Sequence, residues 1–253
     1  MTAWALDLDG VVWLADDPIA GAPEAVRALV DRGERVVLVS NNSSATIGEY
    51  RAKLDRLGIP AAADLVTSAM AAATLVAPGE RVLVCGGPGI VEAVEGRGAT
   101  PLPNDRDRPD VDVVVVGFHR DFDYDRLRRA VGAVRGGARL VATNDDATYP
   151  TPEGVIPGGG AILAAVERGS GITAVVAGKP YAPIVELVRD RYGDAGTMVG
   201  DRPDTDGRFA RALGWRFALV LSGVTTTAAG ADPTPDVVAE DLAALVRSES
   251  EPG

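Results

Sequence analysis

The sequence predicts an α/β protein in which a parallel sheet carries helices on both faces. Three observations point there. Short apolar runs recur along the chain and alternate with longer amphipathic stretches. The runs are rich in Val and Leu and lack polar alternation, as strands buried on both sides do. Many amphipathic stretches end at glycine, a frequent C-terminal stop for a helix. Right-handed crossovers then lay the helices against the sheet.

In chain order the predicted strands are WALDL (4–8), RVVLVS (35–40), RVLVCG (81–86), VDVVVVG (111–117), RLVAT (139–143), ITAVVAG (172–178), TMVG (197–200) and RFALVLSG (216–223). The predicted helices are PEAVRALVDRG (23–33), IGEYRAKLDRLG (47–58), YDRLRRAVGAVRGG (124–137), GGAILAAVERG (159–169) and YAPIVELVRDRYG (181–193). The polar signals fall into two groups, residues 7–44 and 178–206, with strands and helices of their own between them. If both groups build one site, residues 77–176 form an inserted domain, and residues 1–76 with 177–253 form the other. The polar tail SESEPG (248–253) is expected to lack fixed structure.

Composition narrows the partners. Hydrophobic residues make up 46% of 253, enough for a sizeable core, and no run approaches a membrane span; a span needs about 18 uninterrupted apolar residues. No basic segment followed by an apolar run opens the chain, so no secretory signal is expected. The single cysteine, Cys85, excludes an internal disulfide, and a cytoplasmic location is the default expectation. A net charge of −11 disfavours nucleic acid and anionic membranes. An anionic substrate would then be captured locally, by a metal or a few positioned donors. Only two lysines are present, Lys53 and Lys179.

The chemistry-bearing residues sit at predicted strand ends. In DLDGVVW (7–13), Asp7 and Asp9 precede a turn at Gly10, where open α/β sheets put their ligands. Like charges held together need a cation, a shared proton or solvent, and Mg²⁺ is the simplest answer. A solvated turn ahead of a helix explains this pair equally well. VSNNSS (39–44) offers Ser40 and Asn41 either to a phosphate or to a helix cap. GKP (178–180) puts Lys179 at the end of a strand. VGDRPDTD (199–206) supplies Asp201, Asp204 and Asp206, which also suit an acidic helix N-terminus. Taken together and in this order, one site explains the four stretches better than four separate caps.

DLDGV, VSNNSS, GKP and GDRPDTD resemble the four motifs of the haloacid dehalogenase superfamily. The form of the last two, with ATNDDATYPTPEGVIPGGGAI (142–162), resembles its NagD-like branch, subfamily IIA, which includes 4-nitrophenyl phosphatases and phosphoglycolate phosphatases. The resemblance implies a Rossmann-like core with a doubly wound parallel sheet and a large inserted α/β cap of the C2 type. It implies a Mg²⁺-dependent phosphatase of small phosphate monoesters, such as a sugar phosphate, phosphoglycolate or glycerol phosphate, working through an aspartyl-phosphate. Carried onto matching positions, it makes Asp7 the nucleophile, Asp9 the acid/base and Lys179 the charge neutraliser. Ser40, Asn41 and Gly10 would bind phosphate. Asp7, Asp201 and the carbonyl of Asp9 would hold the metal, and Asp206 would orient Lys179. Asn144, Asp145 and Asp146 are candidates for substrate specificity, and a homodimer through the cap is expected. Pro203-Asp204 and Gly207 depart from the usual pattern, the latter expected to loosen its helix.

Other readings fit parts of the sequence. A non-catalytic module that binds Mg²⁺ and a phosphorylated ligand, or a phospho-accepting switch, would use similar strand ends but has no need of Asp9. GGPGIVEA (86–93) has part of a dinucleotide fingerprint but carries Glu92 where the third glycine belongs. His119 is expected at the surface or in a cap loop, Cys85 in the core, and Trp4 and Trp13 in packing.

Overall fold

The computed structural model describes residues 3–60, 62–108, 110–151 and 154–249. Two compact units emerge: residues 1–40, 48–66 and 179–253, and residues 41–47 with 67–178. Residues 67–76, expected with the first unit, group with the second. The reason is packing: the helix Ser68–Thr74 lies against the helix Pro88–Gly96. Its start is fixed by Thr67, whose hydroxyl accepts the Met70 N–H.

The first unit is built on a six-stranded sheet in the order Val237–Ala239, Arg216–Val220, Gly196–Gly200, Ala3–Leu6, Arg35–Ser40, Asp64–Thr67. Ala3–Leu6 pairs in parallel with both Gly196–Gly200 and Arg35–Ser40. From Ala3–Leu6 the chain winds outward through Arg35–Ser40 to Asp64–Thr67. After the second unit it returns beside Ala3–Leu6 and winds the other way. Reversal of direction with right-handed crossovers sends helices to both faces and opens a crevice at the strand ends where the order reverses. Leu6 is in register with Val199 and with Leu38, so the residues following these three strands leave the sheet side by side.

The second unit has its own five-stranded parallel sheet, in the order Val175–Val176, Arg139–Ala142, Val113–Val116, Arg81–Cys85, Thr100–Pro103. Val113–Val116 is fully buried in its interior, as an unbroken apolar run requires. Thr100–Pro103 carries Pro101 and Pro103, which a sheet tolerates at its edge. The helices Tyr124–Arg135 and Gly159–Ser170, the latter through Leu163, pack together over Leu83, Val114, Val116 and Leu140. Thr148–Thr151 and Gly154–Pro157 form an antiparallel hairpin.

All eight apolar runs contain strands, divided between two sheets. Cys85 is buried as expected, and burial pushes its thiol up to about 11. His119 lies in the loop that follows Val113–Val116 in the second unit, but is buried rather than at the surface. Its ring is buried edge-on to Phe122, Nδ1 lies 2.8 Å from Asp121 Oδ1, and Nε2 lies 3.7 Å from Cys85 Sγ. The C-terminal expectation also changes: Ser248 completes the helix Leu242–Ser248, and Glu249 pairs with Arg216 at 3.1 Å. Residues 250–253, and 152 and 153 of the 142–162 stretch, lie outside the described residues. Among the described residues no helix is long and apolar enough to cross a membrane.

Candidate active site

The first unit brings together Asp7, Asp9, Lys179, Asp201 and Asp206. Asp7 follows directly on Ala3–Leu6, and its N–H continues the ladder by donating to the Val199 carbonyl at 2.9 Å. Beyond it the chain coils tightly. The Leu8 carbonyl accepts the N–H groups of Val11, Val12 and Trp13, at 3.3, 2.9 and 3.1 Å. This single turn swings Trp13 back so that its indole Nε1 donates to Asp9 Oδ1 at 3.0 Å. The indole thus holds one oxygen of the Asp9 carboxylate, and Asp9 is not among the three carboxylates whose oxygens gather within 4.8 Å. Trp13 packs as expected, being 2% exposed, but it also carries this contact, which the sequence reading missed.

Lys179 is 2% exposed. Its ammonium donates to Asp7 Oδ1 at 2.7 Å, to Asp206 Oδ1 at 2.7 Å and to the Val39 carbonyl at 3.2 Å. Those acceptors account for the three donors of an ammonium and make burial tolerable. Burial alone would lower the Lys179 pKa, but Asp206 and Asp7 outweigh it and hold it above its ordinary value.

Asp206 reaches Lys179 because the backbone tightens after Asp201. The Arg202 carbonyl accepts from Thr205, Asp206 and Gly207, winding Pro203–Gly207 into a π-helical turn. The second Asp206 oxygen accepts the Arg202 N–H at 3.1 Å. Gly207 does not loosen this segment. A Cβ there would sit 2.9 Å from both the Phe217 ring and Pro233, so glycine lets the turn pack down. Asp204 is exposed and lies 3.8 Å from Arg202.

Asp201 is 1% exposed; its Oδ2 accepts the Val224 N–H, and its buried Oδ1 has no hydrogen-bond partner among the described residues. Two glycines cradle it: a Cβ on Gly10 or Gly223 would lie 2.5 or 2.0 Å from Oδ2, and Gly10 has φ +91°. Oxygens of Asp7, Asp201 and Asp206 lie within 4.8 Å of one another. Burial, reinforced by Asp7 and Asp206, pushes Asp201 up to about 8. Burial also raises Asp7 and Asp9, and lifts Asp206 to about 6 against the pull of Lys179. An all-oxygen, over-concentrated carboxylate set with an orphaned buried oxygen fits a hard divalent cation. Since both Asp206 oxygens are already engaged, Asp7 and Asp201 are the side chains fitted to hold it.

Ser40 is buried at the end of Arg35–Ser40, and the Tyr50 hydroxyl donates to its Oγ at 3.3 Å. Asn41 groups instead with the second unit. Its Nδ2 donates to Asp146 Oδ2 at 3.1 Å, and its carbonyl accepts from Asn144 Nδ2 at 2.8 Å and Ser68 Oγ at 2.7 Å. Asn144 is buried, while Asp145 is exposed.

Residues 4–100 match the family model described as haloacid dehalogenase-like hydrolase, and residues 176–245 match a second model of HAD-hydrolase-like proteins. The chain is 39% identical over 251 residues to the D-glycerol 3-phosphate phosphatase of Mycobacterium tuberculosis, spanning 95% of this chain and 69% of that protein. It is 37% identical over 233 residues to the acid sugar phosphatase of Staphylococcus saprophyticus, spanning 88% of each. A crystal structure of a glycerol phosphate phosphatase from Mycobacterium tuberculosis in complex with magnesium matches with a TM-score of 0.85 at 38% identity, covering 96% of this chain and 76% of that one. The chain belongs to the haloacid dehalogenase-like hydrolases, in the NagD-like branch of phosphoric monoester hydrolases.

Proposed function

We propose that the protein is a Mg²⁺-dependent phosphatase of small phosphate monoesters, glycerol phosphate and sugar phosphates first among them, and that it works through phosphorylation of Asp7. The observation that carries the reading is Lys179, buried and shared between Asp7 Oδ1 and Asp206 Oδ1 at 2.7 Å each, next to the orphaned Oδ1 of Asp201. Structural ion pairs rarely leave a third buried carboxylate uncompensated, whereas a site for a dianion and its counter-ion does so by design. The names of the relatives and the magnesium in one related crystal support the same reading.

Asp7 attacks the phosphorus in line, and the bond from phosphorus to the ester oxygen breaks as the bond to the Asp7 carboxylate forms. Lys179 stays charged throughout and offsets the charge that gathers between Asp7 and the phosphoryl oxygens. Asp9 gives its proton to the departing alkoxide. A water then attacks the phosphorus of the aspartyl-phosphate, Asp9 takes back a proton, and Asp7 is regenerated as phosphate leaves. Asp206 holds Lys179 in place from its far side. Ser40, Asn41 and the backbone at Gly10 are assigned to phosphate binding. When bound by Asp7, Asp201 and the carbonyl of Asp9, Mg²⁺ supplies the positive charge that lets a carboxylate approach a dianionic ester. Choice among esters is assigned to Asn144, Asp145 and Asp146.

Phosphate release from glycerol phosphate, sugar phosphates, phosphoglycolate and nucleotides, with and without Mg²⁺, tests the reading. Metal-dependent release that disappears in Asp7→Asn supports it. Release by Asp7→Asn at the wild-type rate refutes it.

A further inference from the structure

We infer that Trp13 is the positioning residue for Asp9, and that its indole N–H decides which carboxylate oxygen carries the transferred proton. The inference rests on the phosphatase reading and adds a residue and an atom to it.

An indole nitrogen donates and cannot accept. With Trp13 Nε1 3.0 Å from Asp9 Oδ1, that oxygen is an acceptor whichever state the carboxyl is in. The exchangeable proton is thereby assigned to Oδ2. Without the indole, the carboxyl can rotate and carry its proton on either oxygen, and fewer encounters present it to the leaving group.

The indole is itself fixed on every side the structure describes. It is 2% exposed, and its backbone is tied to the turn through Gly10 N–H to the Trp13 carbonyl at 2.8 Å. Lys53 Nζ lies 4.3 Å from the ring centroid, a cation–π contact, while pairing with Asp16 at 3.7 Å. The Tyr50 ring stacks at 6.5 Å. Tyr50 and Lys53 are three apart on the helix Ile47–Arg56, and so share a face. Through Tyr50 that helix also reaches Ser40 Oγ. One helix face thus braces both the group holding the proton donor and a residue assigned to phosphate.

The test compares two esters that differ in their need for a proton. Glycerol 3-phosphate expels an alkoxide, which must be protonated; 4-nitrophenyl phosphate expels a stabilised phenolate, which need not be. In Trp13→Phe, which keeps the ring against Lys53 and Tyr50 but removes the donor, kcat/KM for glycerol 3-phosphate is expected to fall about tenfold or more, with 4-nitrophenyl phosphate held within about twofold. In an Asp9→Asn background the same substitution should cost nothing further on glycerol 3-phosphate. Equal losses on both esters, no loss on either, or a full loss persisting in Asp9→Asn would overturn the inference. Should the Phe variant not fold, benzothienylalanine at position 13 keeps the indole shape without the donor and is read the same way. Failure of the underlying phosphatase reading looks different: wild-type protein releases phosphate from neither ester, or Asp7→Asn matches wild type.

Discussion

Lys179 Nζ lies 2.7 Å from Asp7 Oδ1, although 172 residues separate them in sequence. Asp7 follows Ala3–Leu6 of the first unit's sheet, whereas Lys179 follows Val175–Val176, a strand of the second unit's sheet, at the point where the chain returns to the first unit, and the lysine is sealed at 2% exposure. Its removal leaves Asp7 and Asp206 facing each other without compensation. For Lys179→Met we expect a loss of about 3–5 kcal/mol in urea unfolding, the usual cost of breaking a buried pair from one side. Phosphatase activity should be lost with it. A variant as stable as wild type would show that the ammonium is not the site's charge anchor.

Protons and a divalent cation compete for the same carboxylates. Asp201 is pushed up to about 8 and Asp206 to about 6, mainly by burial, from an ordinary value of 3.8. Folded protein therefore holds protons that the unfolded chain has already released. Without metal, the stability that these two groups contribute is fully present near and below about pH 4 and is lost as pH rises toward about 8. A cation replaces those protons, so its protection should grow over the same window. Thermal midpoints in EDTA and in Mg²⁺ should converge at the acidic end and separate at the alkaline end. Parallel curves would contradict the assignment.

Gly223 touches Asp201 more closely than any side chain could. A Cβ there would lie 2.0 Å from Oδ2 and 2.6 Å from Cγ. Gly223→Ala should turn the carboxylate aside and raise the Mg²⁺ concentration needed for half-maximal activity by about 10- to 100-fold, the range seen when a metal ligand loses its support. Saturating Mg²⁺ should recover much of the rate. An unchanged titration would show that Asp201 is not held by this loop.

Asp9→Asn should lower kcat on alkyl phosphates by about 10²- to 10⁴-fold, as removal of a general acid/base does. The fold should be intact, because Asn retains an oxygen able to accept from the Trp13 indole. Full activity in this variant would remove Asp9 from the mechanism.

Much of this site was legible because it sits at strand ends, where apolar runs stop abruptly at DLD, GKP and GD. The register that unites DLD, the end of Arg35–Ser40 and GD follows from β/α winding in one sheet; GKP ends Val175–Val176 of the other sheet, and that run is not buried as expected, with Ile172 and Val175 about half exposed. What escaped were contacts made by residues whose type suggests packing. Trp13 reads as core, and only the turn at Leu8 brings its N–H to Asp9. A tryptophan four residues after the second aspartate, across a glycine, was the available signal. Gly223 and the Val224 N–H, which hold Asp201, look like an ordinary loop. His119 has a buried ring because Phe122 and Cys85 close over it, which no local pattern announces. The strands Asp64–Thr67 and Val237–Ala239 and the helix Ser68–Thr74 are too short to show a period.

A phosphoryl group carried by Asp7 is the intermediate on which the proposed reaction depends, and chemical trapping detects that group itself. In Asp9→Asn protein turning over 4-nitrophenyl phosphate, formation of the aspartyl-phosphate needs no proton donor, while its hydrolysis lacks a base, so the intermediate should accumulate. Borohydride reduction after rapid quenching, followed by peptide mass spectrometry, should find homoserine in place of Asp7. Nitrophenol release with residue 7 unmodified, or with the label on another carboxylate, would contradict the account.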